Sequence, residues 1–110
     1  MYNSDTPNIR DVEMGDKFTL TMESGESLSG VVVDIENHKS YYTTSWTRVV
    51  IEGDWWEQVS DRVDTEVLKL YQEYLSSDVP KTPVVRGDEW NGAMYEMVTL
   101  GKIQSLEVDN

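Results

Sequence analysis

The sequence predicts an α+β protein, in which a small antiparallel, β-barrel-like sheet in the order βββαββ carries one amphipathic helix. Two periodicities predict this class. From Lys17 onwards apolar and polar residues alternate, which is typical of half-buried strands. Between Val63 and Leu75 the apolar residues instead recur at intervals of three and four, which is typical of a helix packed on a core.

The first three strands are expected to form a meander. From Phe18 to Met22 apolar residues alternate with polar ones, and Gly25 provides the following tight turn, because glycine accepts the positive φ that such turns need. A second strand is predicted from about Ser27 to Glu36. The third is predicted from Tyr41 to Glu52, a segment rich in Tyr, Thr, Trp and Val, which favour strands.

The predicted helix follows the meander. Its apolar stripe consists of Val63, Val67, Leu70, Tyr71, Tyr74 and Leu75. A loop is expected from Pro80 to Gly92, since proline and glycine interrupt regular structure there. The last two strands are predicted at Met94–Thr99 and Ile103–Val108, with a turn between them.

A chain of 110 residues is expected to form one domain. Residues 1–16 are predicted to be an N-terminal arm, and residues 17–110 the barrel-like domain. Within that domain, residues 53–92 are predicted to be an insertion that contains the helix. No apolar run exceeds three residues, so we expect neither a membrane span nor a secretory signal, and a cytoplasmic location.

The residue types that carry most enzyme chemistry are scarce. The chain has no cysteine and one histidine, and it contains neither a nucleophile elbow nor a phosphate-binding glycine loop. Asp34, Glu36 and His38 share one face of a strand. In a straight strand, however, Asp34 and His38 would lie about 13 Å apart, too far for one metal ion. We therefore expect a protein that is not an enzyme and has no catalytic residues, metal or cofactor.

The chain is strongly acidic, with 9 Lys and Arg against 21 Asp and Glu and a net charge of −12. The acidic residues are dispersed along the chain rather than confined to a tail. At about 1 M salt the Debye length falls to about 3 Å, so the self-repulsion of such a surface is screened. The composition therefore resembles that of proteins from halophiles that accumulate salt, including haloarchaea. The alternative is an acidic mimic of nucleic acid that inhibits a nucleic-acid enzyme.

One segment has the spacing of a known motif. Its residues are Gly25, Gly30, Val32, Ile35, Glu36 and His38. Over residues 18–43 this pattern resembles the first signature of Sm-like proteins, a family of small SH3-like β-barrels. The resemblance implies that Gly25 closes a hairpin and that Gly30 lets a strongly bent strand wrap around the barrel.

The resemblance also implies a binding loop for single-stranded RNA. Glu36 would take the acidic position, His38 the position that stacks on a base, and Ser40 the position where the family has Asn. It further implies that Val32 and Ile35 both face inward, which requires a bulge between them. Simple alternation would instead bury Val31, Val33 and Ile35.

The four tryptophans are the remaining candidates for function. Trp46 is expected in the core. Trp55, Trp56 and Trp90, together with His38, are predicted to form an aromatic contact surface. Its expected partner is a protein or a second copy of the chain, and the alternative is single-stranded RNA.

Overall fold

The computed structural model describes residues 6–40, 44–53, 59, 67–75 and 79–109. These residues form seven antiparallel strands and one short 3-10 turn at Ile9–Asp11. The strands are β1 (Lys17–Met22), β2 (Ser27–His38), β3 (Ser45–Glu52), β4 (Leu68–Leu75), β5 (Val79–Pro80), β6 (Val84–Trp90) and β7 (Tyr95–Asp109). The predicted α+β class is therefore wrong, because the elements of the described residues are nearly all strands.

The predicted amphipathic helix is the main error. Its second half, Leu68–Leu75, is β4, which pairs with β3 along its length and with β6. Residues 60–66, the start of the predicted helix, lie outside the described residues. The order βββαββ is thus replaced by a run of strands.

Two side chains of β4 explain the error. Inward and outward positions alternate along the strand, but the inward Gln72 is polar and the outward Tyr71 is apolar in character. This exchange breaks the polar–apolar alternation and leaves apolar residues at helical spacing. Leucine, lysine and glutamate also have good helix propensity, and pairing with the neighbouring strands overrides it.

The C-terminal part also differs from the prediction. The predicted loop from Pro80 to Gly92 contains β6, and the two predicted last strands are one continuous strand, β7. Val85 pairs with Gly101 whereas Arg86 pairs with Thr99, so Leu100 is the extra residue of a bulge rather than part of a turn.

The meander is confirmed, and the sheet curls into a barrel-like ring that is partly closed. The order is β3-β2-β1-β7-β6-β4-β5, and β3 also pairs with β4. Hydrogen bonding therefore connects six of the described strands in a ring. The seam between β4 and β6 is short, with three matched residue pairs from Lys69 to Tyr71. The segment 53–92, predicted as an insertion, contributes β4, β5 and β6 to this same sheet.

A bulge in β2 sets the curvature of the meander. The register with β3 shifts between Val32 and Asp34. As a result Val32 is buried and the half-buried Ile35 packs against the core, an arrangement that the Sm-like resemblance implies. A β-carbon on Gly30 would lie 2.6 Å from the carbonyl oxygen of Glu52, so the close approach of these strands requires glycine.

The core fills the inside of the ring and extends to the N-terminal segment. Ile9 and Val12 are buried, so part of the predicted arm packs against the sheet. The buried apolar residues of the core are Ile9, Val12, Phe18, Leu20, Met22, Leu28, Val32, Val49, Ile51, Val59, Leu68, Leu70, Val85 and Ile103.

A buried glutamine connects the N-terminal segment to β4. The Oε1 atom of Gln72 accepts a hydrogen bond from the Ile9 amide at 2.9 Å, and its Nε2 donates to the carbonyls of Pro7 at 2.7 Å and Lys81 at 2.6 Å. The Tyr74 hydroxyl lies 2.9 Å from the same Oε1 atom. Burial raises the pKa of Tyr74, against the opposing effect of the nearby Arg10 guanidinium. The phenol is therefore a neutral hydrogen-bonding group.

Replacing this glutamine should destabilise the fold. In Gln72→Leu the Ile9 amide and two carbonyls lose their partner, so we expect the free energy of unfolding to fall by about 2 kcal/mol or more. Urea unfolding followed by circular dichroism measures this change. Gln104→Leu, the same substitution at an exposed position of β7, should change it by less than about 0.5 kcal/mol. Equal effects would contradict the role assigned to Gln72.

The close approach at Gly30 gives a second prediction. Gly30→Ala forces a methyl group against a backbone oxygen, so we expect a loss of about 1–3 kcal/mol in the free energy of unfolding. Gly101→Ala is the matched control, because its nearest neighbour is the flexible Met22 side chain, with Sδ at 3.0 Å. Thermal unfolding of both variants should show a clearly larger loss for Gly30→Ala, and a smaller one would refute the steric argument.

Candidate functional site

An aromatic row crosses the outer face of the sheet. His38 at the end of β2 stacks on Trp46 of β3, with ring centroids 5.4 Å apart and an angle of 20° between the planes. Trp46 in turn contacts Tyr71 of β4 at 5.9 Å. The prediction that Trp46 belongs to the core is wrong, because even-numbered positions of β3 point outward and leave it half-buried between these two rings.

Two arginines lie over this row. The guanidinium carbon of Arg86 is 4.0 Å from the centroid of the Tyr71 ring, and that of Arg48 is 5.9 Å from Trp46. Such contacts hold a cation over the negative face of a ring. Burial, and then the nearby Glu73 carboxylate, raise the pKa of Tyr71, while Arg86 opposes them. Tyr71 is therefore a neutral phenol at physiological pH.

These side chains line a groove of about 210 Å³ on the outside of the barrel. We call it the outer groove. Its lining residues are Trp46, Arg48, Lys69, Tyr71, Arg86 and Met97. They come from β3, β4, β6 and β7, so the groove exists only because the ring brings these strands side by side.

A second feature is an exposed apolar surface at the hairpin that joins β6 and β7. Its members, which we call the tip patch, are Trp90, Met94, Tyr95 and Met97, with exposed fractions of 49%, 60%, 58% and 57%. The rings of Trp90 and Tyr95 meet edge to face with centroids 5.0 Å apart. Met97 also lines the outer groove, so the two surfaces share an edge.

The turn beneath the tip patch is held by one asparagine. The Oδ1 atom of Asn91 accepts hydrogen bonds from the amides of Ala93 at 2.9 Å and Met94 at 3.0 Å, and its Nδ2 donates to Glu96 at 2.8 Å. Gly92 has a φ of +97°, which glycine adopts without strain. The tip patch therefore rests on a hydrogen-bonded hairpin, which lowers the entropic cost of binding.

The predicted site residues are only partly brought together. Glu36 forms an ion pair with Arg48, His38 lies on Trp46, and the Ser40 amide donates to the Ser45 hydroxyl at 3.2 Å. Trp90 belongs to the tip patch on another hairpin. Trp55 and Trp56 lie outside the described residues. RNA recognition by Glu36, His38 and Ser40 stays a prediction.

Sequence reasoning missed most residues of the outer groove. No sequence pattern assigns a binding role to Arg48, Lys69, Arg86 or Met97, and Tyr71 is predicted on the helix. The only local signal is a period of two, with Trp46 and Arg48 on one side of their strand and Lys69 and Tyr71 on one side of theirs. Among residues 6–40, 44–53, 59, 67–75 and 79–109, no three His, Cys, Asp or Glu side chains are grouped to hold a metal ion.

Comparison with known proteins adds no family to this description. No family model matches the chain, and neither a curated protein nor a solved structure matches it significantly. Within the part of the chain that the structure describes, no helix is long and apolar enough to cross a membrane.

Proposed function

We propose that this protein is a non-catalytic, cytoplasmic binding module that engages a protein partner through the tip patch. The observation that carries the proposal is the concentration of four large apolar side chains on one hydrogen-bonded hairpin, each about half exposed or more. Aromatic residues and methionine are enriched at protein interfaces, and a few buried aromatic anchors supply most of the binding energy.

The charges around the tip patch indicate the chemistry of the partner. Asp88 of β6 pairs with Met97 and so shares the face of the hairpin that carries the rings, whereas Glu89 and Glu96 pair on the opposite face. A partner that offers an apolar pocket with a basic group at its rim would cover the rings and neutralise Asp88. Complementary charge of this kind governs the rate and specificity of association.

The tip patch proposal predicts a selective loss of binding. In Trp90→Ala and in Met94→Ala, the partner captured from an extract of the source organism should be lost. Its affinity, once it is purified, should fall by at least tenfold for Trp90→Ala, since central aromatic anchors contribute about 2 kcal/mol or more. Calorimetry with the purified partner measures this.

Met14→Ala is the matched control for Met94→Ala, because both methionines are 60% exposed. It should leave capture unchanged. Equal capture by the wild type, Trp90→Ala and Met94→Ala would refute the tip patch as the interface. Light scattering of the purified protein distinguishes a second copy from a different partner, since self-association at the tip patch would also be lost in Trp90→Ala.

We further propose that the acidic surface is an adaptation to high salt. Glu36 forms an ion pair with Arg48, but the 21 Asp and Glu outnumber the 9 Lys and Arg, so most carboxylates depend on solvent ions rather than on cations of the protein. Screening at molar salt would remove the repulsion between them.

This proposal predicts that stability rises with salt. The urea concentration at the midpoint of unfolding should increase when KCl is raised from about 0.1 M to about 2 M, because the Debye length falls from about 10 Å to below 3 Å. Sucrose at equal osmolality is the control for solvent effects unrelated to charge. A midpoint that KCl leaves unchanged would instead favour the acidic mimic, which would be built for dilute salt.

A further inference from the structure

The outer groove contains an arrangement of charge that works against stability. Lys69 of β4 and Arg86 of β6 are direct cross-strand partners, and Arg48 lines the same groove from β3. Like charges placed directly opposite each other in an antiparallel pair are destabilising. In the described part of the chain, neither Lys69 nor Arg86 forms an ion pair.

Basic residues are scarce in this chain, so their concentration in the outer groove is informative. Acidic pairs such as Glu89 and Glu96 are expected by chance in a chain with 21 Asp and Glu, whereas only 9 residues are Lys or Arg. Three of these nine line one groove. Arg86 gains a contact with Tyr71, and Arg48 an ion pair with Glu36, but Lys69 has no such contact among the described residues. A position that breaks a local rule without a structural gain is frequently functional.

The walls of the outer groove indicate what kind of anion fits. Arginine presents a planar fork of donors that matches the oxygens of phosphate, and Arg86 forms no ion pair with a carboxylate of the described residues that would compete for this fork. Trp46, Tyr71 and Met97 supply flat or apolar surface beside the cations. A ligand that suits both parts carries a phosphate attached to a group with a flat ring.

Charge also decides between a free ligand and a strand of nucleic acid. Binding of a long polyanion depends on many phosphate contacts with basic residues, and the whole chain carries −12. Within the described part of the chain Lys69 and Arg86 are not in ion pairs, and Arg48 is shared with Glu36, so these cations are enough for one phosphate group and too few for a strand. The ligand class is therefore the free mononucleotide.

We propose that the outer groove is a binding site for a free nucleoside monophosphate, whose phosphate lies between Lys69, Arg86 and Arg48. The proposal goes beyond the docking function of the tip patch and does not depend on it. Glu36 faces the site from β2, and Glu73 and Asp88 are the next outward acidic residues on β4 and β6. They limit the site to one phosphate group.

Calorimetric titration with AMP and with adenosine tests the site. At about 0.1 M salt we expect AMP to bind once per chain and adenosine to bind at least tenfold more weakly, because adenosine lacks the phosphate. Lys69→Gln should weaken AMP binding about tenfold while the urea midpoint stays the same or rises, since a like-charge contact is removed. Lys102→Gln, an exposed lysine of β7 outside the outer groove, should change neither quantity.

Several results would overturn the proposal. These are the absence of AMP binding, equal affinity for AMP and adenosine, and unchanged AMP binding in Lys69→Gln. A single-stranded oligouridylate that binds at least tenfold more tightly than AMP would replace the free nucleotide by a nucleic acid strand. A lower urea midpoint in Lys69→Gln would show that the lysine is retained for stability. None of these results depends on capture of a partner by the tip patch.

Discussion

The pairing of β3 with β4 is the interaction on which the rest of the structure depends. It joins the meander to the C-terminal strands and gives the sheet an inside and an outside. The inside accepts the apolar residues that alternate along each strand, which is the main favourable contribution to folding. The outer face of the sheet carries the other side chains of each strand, which include the aromatic row and the cations of the outer groove. The outer groove is a consequence of this closure, because it combines side chains of β3 and β4 with those of β6 and β7.

The meander could be predicted because its sequence is locally consistent. From Phe18 to Met22 the apolar residues occupy alternate positions, and Gly25 has the positive φ that its turn requires. The bulge near Val32 is implied only by the Sm-like resemblance, because simple alternation of the apolar residues after Gly30 would bury Val31, Val33 and Ile35 instead. In β1 and its turn the local preferences and the final fold agree, as they do in most natural sequences.

β4 could not be predicted because its local pattern and its tertiary role conflict. Gln72 faces inward to satisfy backbone groups of the N-terminal segment and of Lys81, and these partners lie far from it in sequence or in the predicted loop from Pro80 to Gly92. The outer groove could not be predicted from the sequence for a related reason. Arg48, Lys69 and Arg86 are separated by about twenty residues each, and only the order of strands brings them together. The periodicity of a sequence shows which residues of one strand share a face, but it does not show which strands lie beside each other.

β7 extends past the ring into the hairpin with β6, so its two halves pair with different strands. Its C-terminal half pairs with β1 and its N-terminal half with β6 along the length of that strand. The side chains around Trp90 and Tyr95 belong to no buried cluster. Substitution of these exposed side chains therefore leaves the buried interior of the ring unchanged, because that interior is filled from other positions.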